Sequence, residues 1–211
     1  DFVFDKYYKY AGNKAFYKDG KYGIKRGEKE IVPAIYDIAY TYKDEYIKVK
    51  INDKYGILDY EGREIVPVKY DDIEYKEYEI NPVFYVKNMG KMGLVNMKGE
   101  EFVPIRYDKI KSYNNKFYEL HLNNKQGLAN LNGVLYPAIY ENLGWSSVNH
   151  NRYFDAYSEY IAVKRDGTDY LIDTRGYEYQ VNKKIPKIGG IASIYPLLET
   201  ARKVSLDEEA E

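Results

Sequence analysis

Cysteine is absent from the 211 residues, histidine occurs twice, tryptophan once and methionine three times. Without cysteine there are no disulfides, no thiolate zinc sites and no thiol nucleophile, and the redox compartment stays open because either environment tolerates such a chain. No apolar run approaches the roughly 20 residues that a membrane-spanning helix needs, so the chain is not expected to span a membrane. A phosphate-binding glycine loop is also missing, since Gly20-Lys21 lacks the spacing that lets backbone amides wrap a phosphate. Alternating Asp/Asn with a distal Glu, the calcium-loop pattern, does not occur, and none of the few serines stands in a nucleophile elbow. His121 and His150 lie in different segments, and His121 alternates with Leu120 and Leu122 as a solvent-facing strand residue does. Catalytic, cofactor and metal sites are therefore not expected. A glycosidase using scattered carboxylates is the one enzymatic alternative.

What is present points to a folded chain. Hydrophobic residues make up 45% and charged ones 31%, a balance that argues against disorder. The net charge of -1 hides an asymmetry: residues 6–29 hold eight Lys/Arg against Asp19 and Glu28, while Asp207, Glu208, Glu209 and Glu211 make the end acidic. Tyrosine supplies 27 of the 35 aromatic residues, from either an A/T-rich genome or a recurring structural role. The sequence begins at Asp1 rather than Met, so an upstream segment, with or without a signal peptide, is expected.

Laid against itself, the chain repeats. Lys21-Tyr22-Gly23-Ile24, Lys54-Tyr55-Gly56-Ile57, Lys91-Met92-Gly93-Leu94 and Lys125-Gln126-Gly127-Leu128 open four units. Each continues to a second glycine (Gly27, Gly62, Gly99, Gly133) and a proline (Pro33, Pro67, Pro104, Pro137). Three residues on stands a tyrosine followed by an acid: Tyr36-Asp37, Tyr70-Asp71, Tyr107-Asp108 and Tyr140-Glu141. The first glycines are 33, 37 and 34 residues apart, periods that belong to solenoids, propellers or arrays. A decayed copy at 165–186 puts Tyr170 in the first glycine's place, and its Pro186 lacks the Tyr-Asp. Residues 1–20 read as the closing half of an earlier unit, and such degenerate ends suit a capped array.

Local patterns are those of strands. Tyr46-Ile47-Lys48-Val49-Lys50-Ile51 alternates as a half-buried strand does, and Asn52-Asp53 supplies a turn. Gly62 is expected at positive φ. Pro67, having no N–H, should end the ladder. Each unit thus reads as a short antiparallel three-stranded meander in an all-β array of about 34 residues per repeat, either an open solenoid or a propeller-like closed array. The glycine after Tyr22 and Tyr55 falls inside a strand, which implies a bulge or a closely packed neighbour. The recurring tyrosines should bury their rings between units. Asp37, Asp71 and Asp108 are expected to cap turns or bond to backbone.

The string Lys-Tyr-Gly-Ile…Asp-x-x-Gly-x-Glu-Ile-Val-Pro-x-x-Tyr-Asp, clearest at residues 54–71, resembles the bacterial WG-repeat family, also called KWG repeats. The resemblance covers residues 15–143 closely and 160–181 weakly. It departs at the residue that names the family, with Tyr22, Tyr55, Met92 and Gln126 in place of Trp. The resemblance implies tandem β units, an interaction role and an exported or envelope-associated bacterial protein. It implies no catalytic residue.

Residues 1–186 are accordingly read as one β-repeat domain and 187–211 as an irregular or partly helical tail. In that tail Ile188, Ile191, Ile194, Leu198 and Ala201 have helix-like spacing, and Ser205 and Glu208 could form a capping box. Two insertions break the period, Glu74–Val86 and Gly144–Tyr160, and insertions often form the binding face of an array. The second contains Trp145, His150, Tyr153, Phe154 and Tyr157, which suit stacking on a sugar, peptide or protein partner, or else cover the core. The expected function is a non-catalytic interaction or scaffolding module for a protein or cell-envelope component. The alternative is recognition of an acidic polymer, nucleic acid or anionic glycan, by the basic, Tyr-rich segment 6–29.

Overall fold

Five two-residue turns with positive φ at both positions set the frame: Asp19-Gly20, Asn52-Asp53, Met89-Gly90, Asn123-Asn124 and Asp166-Gly167. That backbone matches the right-handed twist of paired strands, so each turn closes a tight hairpin. The computed structural model describes residues 12–42, 45–76, 82–113, 117–144, 160–181 and 198–208. Their strands form five antiparallel sheets, each with its strands in chain order. The first has three strands, β1 (Asn13–Lys18), β2 (Lys21–Arg26) and β3 (Lys29–Tyr36). The next three have four strands each: β4 (Ile38–Tyr42), β5 (Tyr46–Ile51), β6 (Lys54–Asp59), β7 (Glu64–Tyr70); β8 (Asp72–Lys76), β9 (Val83–Asn88), β10 (Lys91–Val95), β11 (Glu101–Tyr107); and β12 (Lys109–Tyr113), β13 (Phe117–Leu122), β14 (Lys125–Asn130), β15 (Gly133–Tyr140). The last has five, β16 (Asn142–Leu143), β17 (Tyr160–Arg165), β18 (Thr168–Asp173), β19 (Tyr177–Val181) and β20 (Leu198–Lys203). None of these sheets closes on itself.

The tandem meanders are there, and three of them carry a fourth strand. It begins immediately after the repeat acid: only Asp37 separates β3 from β4, Asp71 separates β7 from β8, and Asp108 separates β11 from β12. These strands are short and polar on one side, so their alternation is faint. The proline does not end the ladder. Pro67 lies within β7, where Ile57 pairs with Val66 but Tyr55 pairs with Tyr70, so four residues of β7 face two of β6. The missing N–H falls in this bulge, where no ladder bond is lost. The strand glycine makes the bulge possible: a Cβ on Gly56 would lie 2.9 Å from Val66 O and 3.0 Å from Val68 N. Where Tyr170 replaces the glycine, β19 pairs in plain register, Tyr170 with Gln180 and Ile172 with Glu178.

A second polar device closes the β6–β7 turn and its equivalents. Asp59, Asn96, Asn130 and Asp173 each accept backbone N–H groups two residues on, and all but Asn130 also four on, at 2.8–3.0 Å. Gly62 sits there at φ +83°, as its position in the turn requires.

The chain divides into two compact bodies, residues 1–105 and 106–211. In the first, Ile24 and Val32 of the first sheet pack on Ala39, Ile47, Val49 and Leu58 of the second. The opposite face of the second sheet, with Ile57, Val66 and Tyr70, packs on Ile73, Tyr75, Phe84, Val86 and Val95 of the third. Strand β5 is therefore covered on both faces. Lys48, expected to face solvent, is only 8% exposed; its Nζ donates to Ile73 O at 2.7 Å and lies 4.6 Å from the Tyr55 ring. In the second body Leu128, Tyr136 and Tyr140 pack on Leu143, Ile161, Val163 and Ile172. Each such aliphatic side chain stabilises its body by about 1.5–3 kcal/mol through burial.

The insertion at Glu74–Val86 is core at both described ends, with Tyr75, Val83, Phe84, Tyr85 and Val86 buried. Leu198–Lys203, within the tail read as irregular or partly helical, is strand β20, paired with β19. Beyond it Leu206–Glu208 forms one 3-10 turn. Ser205 and Glu208 make the reciprocal cap: Glu208 Oε1 accepts Ser205 N at 2.9 Å, and Ser205 Oγ accepts Asp207 N at 3.3 Å.

Candidate functional site

The residues that recur most faithfully find their partners within the repeat scaffold, across the joins between consecutive sheets. The repeat acid stands at the corner between consecutive sheets, where its N–H donates to the carbonyl of Lys50, Lys87, His121 or Lys164 at 2.7–2.8 Å. Its carboxylate accepts the turn N–H of the next hairpin: Asn52 by Asp37 at 2.9 Å, Met89 by Asp71 at 2.6 Å, Asn123 by Asp108 at 3.0 Å and Gly167 by Glu141 at 3.1 Å. The lysine that opens the unit adds a charge-assisted bond, Lys21 to Asp37 and Lys54 to Asp71. These donors, lysine first and turn N–H second, hold Asp37 and Asp71 below the usual carboxylate range. The acids are caps, as their sequence position suggests. The recurring tyrosines Tyr70, Tyr107 and Tyr140 are buried.

The first sheet presents a different surface. Phe16 pairs with Gly23, Lys14 with Lys25 and Lys18 with Lys21, all on one face. In the other sheets the row equivalent to Lys14–Lys25 is buried and apolar: Ile47–Leu58, Phe84–Val95, Tyr118–Ala129 and Ile161–Ile172. Lysine in this row gives the first sheet the polar outer face that an end unit needs. Exposed apolar side chains also gather here. Of nine large exposed hydrophobic residues among those described, five (Tyr17, Tyr22, Ile35, Ile38, Tyr40) lie on β1–β4, and the Tyr17 and Tyr22 rings are 4.9 Å apart.

The second body holds a polar cluster. Glu178, 2% exposed, accepts from Arg165 Nη2 and Arg202 Nε, both at 2.9 Å. Arg202 also grips Glu208 with two nitrogens, at 2.7 and 3.0 Å, which holds that carboxyl below its usual range. Beside it a pocket of about 550 Å³ opens between Lys125, Ala138, Ile139, Arg165, Arg202 and Glu208. The arginines are matched by acids, so the pocket carries little excess charge. Glu178 Oε2 and the buried Tyr140 hydroxyl lack a well-formed hydrogen bond. Burial first, then the Glu178 carboxylate, pushes the Tyr140 phenol far above its ordinary range. The Tyr136 hydroxyl is well bonded, lying 2.7 Å from Asp173 O and 2.8 Å from Tyr177 O and accepting Asp173 N at 3.1 Å. Burial pushes Asp173 up, but donation from Tyr177 N–H, Arg175 and the Tyr179 hydroxyl outweighs it and the carboxyl ends below its usual range.

The family model described as the WG containing repeat matches residues 24–55, 55–77 and 92–125. Those stretches are WG repeats. Among solved structures it is similar to a protein of unknown function from Bacteroides caccae, at 12% identity over 84% of this chain and 72% of that one, with a TM-score of 0.25. No curated protein matches the sequence. The matching family model is not that of an enzyme family.

In these repeats the position named for Trp lies on the strand facing the repeat tyrosine: Tyr22 pairs with Tyr36, Tyr55 with Tyr70 and Gln126 with Tyr140. Its replacements serve as scaffold, with Tyr55 under Lys48 and Gln126 Oε1 accepting Leu143 N at 2.8 Å. Trp145, His150, Tyr153, Phe154 and Tyr157 lie outside the described residues. His121 does not face solvent freely: its side chain is 22% exposed and its Nε2 lies 2.7 Å from Glu119 Oε1. Burial, helped by Lys111 and Lys109, holds the imidazole below its usual range despite Glu119. Among the described residues no three His, Asp or Glu side chains gather to hold a metal ion, and no helix is long and apolar enough to cross a membrane. The Glu178 cluster and the Lys48 site went unread in the sequence. Only knowledge of which strand faces are covered reveals them.

Proposed function

We propose that this protein is a non-catalytic interaction module that binds a protein or cell-envelope component. One observation carries the reading. The repeat's acids, with Lys21 and Lys54, are taken up in bonds that join consecutive sheets, while exposed apolar side chains collect on β1–β4. A contiguous or clustered apolar surface of this kind marks interaction sites more often than catalysis. The segment with Trp145, His150, Tyr153, Phe154 and Tyr157 is the second candidate contact, on its aromatic composition.

The test is capture of a defined partner by the immobilised chain, compared with three variants checked for fold by circular dichroism. Loss of binding in Ile35→Ser/Tyr40→Ser, or in Trp145→Ala, with Leu131→Ser unaffected, supports the reading and says which surface acts. Equal capture by all four proteins, or turnover of a captured component, overturns it.

A further inference from the structure

The join between the last two sheets departs from the pattern of the first two joins. There the lysine that opens the unit is held by the repeat acid, Lys21 by Asp37 and Lys54 by Asp71, while the same carboxylate takes a turn N–H of the next hairpin. Between β15 and β16 the acid is Glu141, one methylene longer. Its Oε1 still accepts Gly167 N at 3.1 Å. The corresponding lysine, Lys125, has neither an ion pair nor a side-chain hydrogen bond among the described residues, although it is half-buried. An ammonium partly withdrawn from water gains from an anionic partner.

The space beside Lys125 is the pocket of about 550 Å³, a volume that suits a small molecule. Part of its wall comes from the end of the chain's last sheet: β20, the fifth strand, supplies Arg202, and the 3-10 turn after it supplies Glu208. These charges satisfy one another. Arg202 holds Glu208 through two nitrogens, and Arg165 and Arg202 both donate to the buried Glu178. The two arginines and two glutamates are therefore wall. What remains along the lining is Lys125, Asp166 and an apolar pair, Ala138 and Ile139, in the β15 bulge opposite Gly127. Asp166 is exposed in its hairpin turn, at φ 50°, and has no ion pair among the described residues.

We propose that this pocket binds a small aliphatic carboxylate, whose anionic group takes the place at Lys125 that the repeat acid holds at Lys21 and Lys54, and whose chain lies on Ala138 and Ile139. A dianion is a poor fit. The lining sets Lys125, Arg165 and Arg202 against Asp166 and Glu208, and Glu178 cancels the one remaining positive charge. An ammonium on the same molecule would find an anion in Asp166, so a simple carboxylic acid and an aliphatic amino acid share the required chemistry. This small-molecule site does not depend on the interaction reading, since it uses neither β1–β4 nor the segment around Trp145.

Titration calorimetry with 4-methylpentanoate, leucine and 3-methylbutylamine tests it, because the three share one branched chain and differ only in their charged groups. Saturable binding of at least one carboxylate, and none of the amine, is expected. Leucine binding tighter than 4-methylpentanoate identifies an amino-acid site that uses Asp166, and leucine no tighter identifies a site for the simple acid. Lys125→Gln should weaken the carboxylate about tenfold or more through loss of a charge-assisted hydrogen bond. Glu141→Asp changes no charge but restores the acid that captures lysine at the first two joins, and should weaken binding several-fold by competing for the ammonium. Far-UV circular dichroism and urea midpoints check that both variants fold. Binding of the amine as tight as that of the acids, no binding by either acid, or full affinity in Lys125→Gln or in a folded Glu141→Asp each overturn the proposal.

Discussion

Replacing Gly127 with alanine tests the close approach on which the repeat rests. A Cβ at Gly127 would lie 2.6 Å from Tyr136 O, 2.7 Å from Pro137 C and 2.8 Å from Ala138 N. All three are backbone atoms of the β15 bulge, so no side-chain rotation relieves the overlap. The bulge must lift off β14, which costs about 1–3 kcal/mol in overpacking and about 1 kcal/mol for a strained or lost hydrogen bond, a total of about 2–4 kcal/mol. Gly27→Ala is the matched control. Its φ of +59° strains an alanine, but nothing lies within 4 Å of the new methyl, so its cost is about 1 kcal/mol. Urea unfolding followed by far-UV circular dichroism gives the midpoints, and hydrogen exchange locates the loss, which should fall on β12–β15 and spare β4–β7. A Gly127→Ala protein no less stable than Gly27→Ala, or one loosened equally in both places, would refute the close-approach argument.

Two further outcomes follow from buried polar groups. Tyr136→Phe strips a hydroxyl that lies against Asp173 and Tyr177 backbone atoms and should cost about 1–3 kcal/mol, whereas Tyr140→Phe removes a hydroxyl with no well-formed bond and should change stability by less than about 0.5 kcal/mol; the reverse order in paired urea melts would show that the assignment is wrong. Asp37, Asp71, Asp173 and Glu208 all titrate below their usual range. Their stabilisation is therefore complete above the unfolded carboxylate value near about pH 4 and is lost as pH falls through the lower folded values. Melting temperature should hold from pH 7 to 5 and drop steeply below 4, and a flat profile down to pH 2 would rule this out.

Sequence reading reached the repeat, the antiparallel sheets, the glycine bulge and the capping acids, because each depends on residues close in the chain. Asn52-Asp53 can form its turn whatever else is present, and Gly56 announces a close approach by standing where a strand should not want it. The fourth strand escaped because Ile38–Tyr42 and Asp72–Lys76 have only five residues each, too few for alternation to rise above composition. Lys48 escaped for another reason. Its alternation within Tyr46–Ile51 is that of a half-exposed strand, and only the stacking of a third sheet buries the second face. Leu198–Lys203 shows the same dependence on partners: helix-like spacing could not reveal that β19 offered an edge.

That edge explains why the Glu178 cluster is weaker as a functional site than its chemistry suggests. In the second sheet β7 bulges over Gly56, and Glu64, which pairs with Leu58, remains exposed. In the last sheet Tyr170 removes the room for a bulge, β19 runs straight, and Glu178 pairs with the equivalent Ile172. A straight strand keeps its outer edge in register for β20, whose Arg202 pairs with Glu178. The carboxylate that is solvated in the bulged unit is thereby covered, and a buried carboxylate needs cations. Arg165 and Arg202 supply them, and Glu208 balances Arg202. One glycine-to-tyrosine difference thus leads through register to a buried charge network at the end of the repeat. The network's existence is accounted for by closing that sheet.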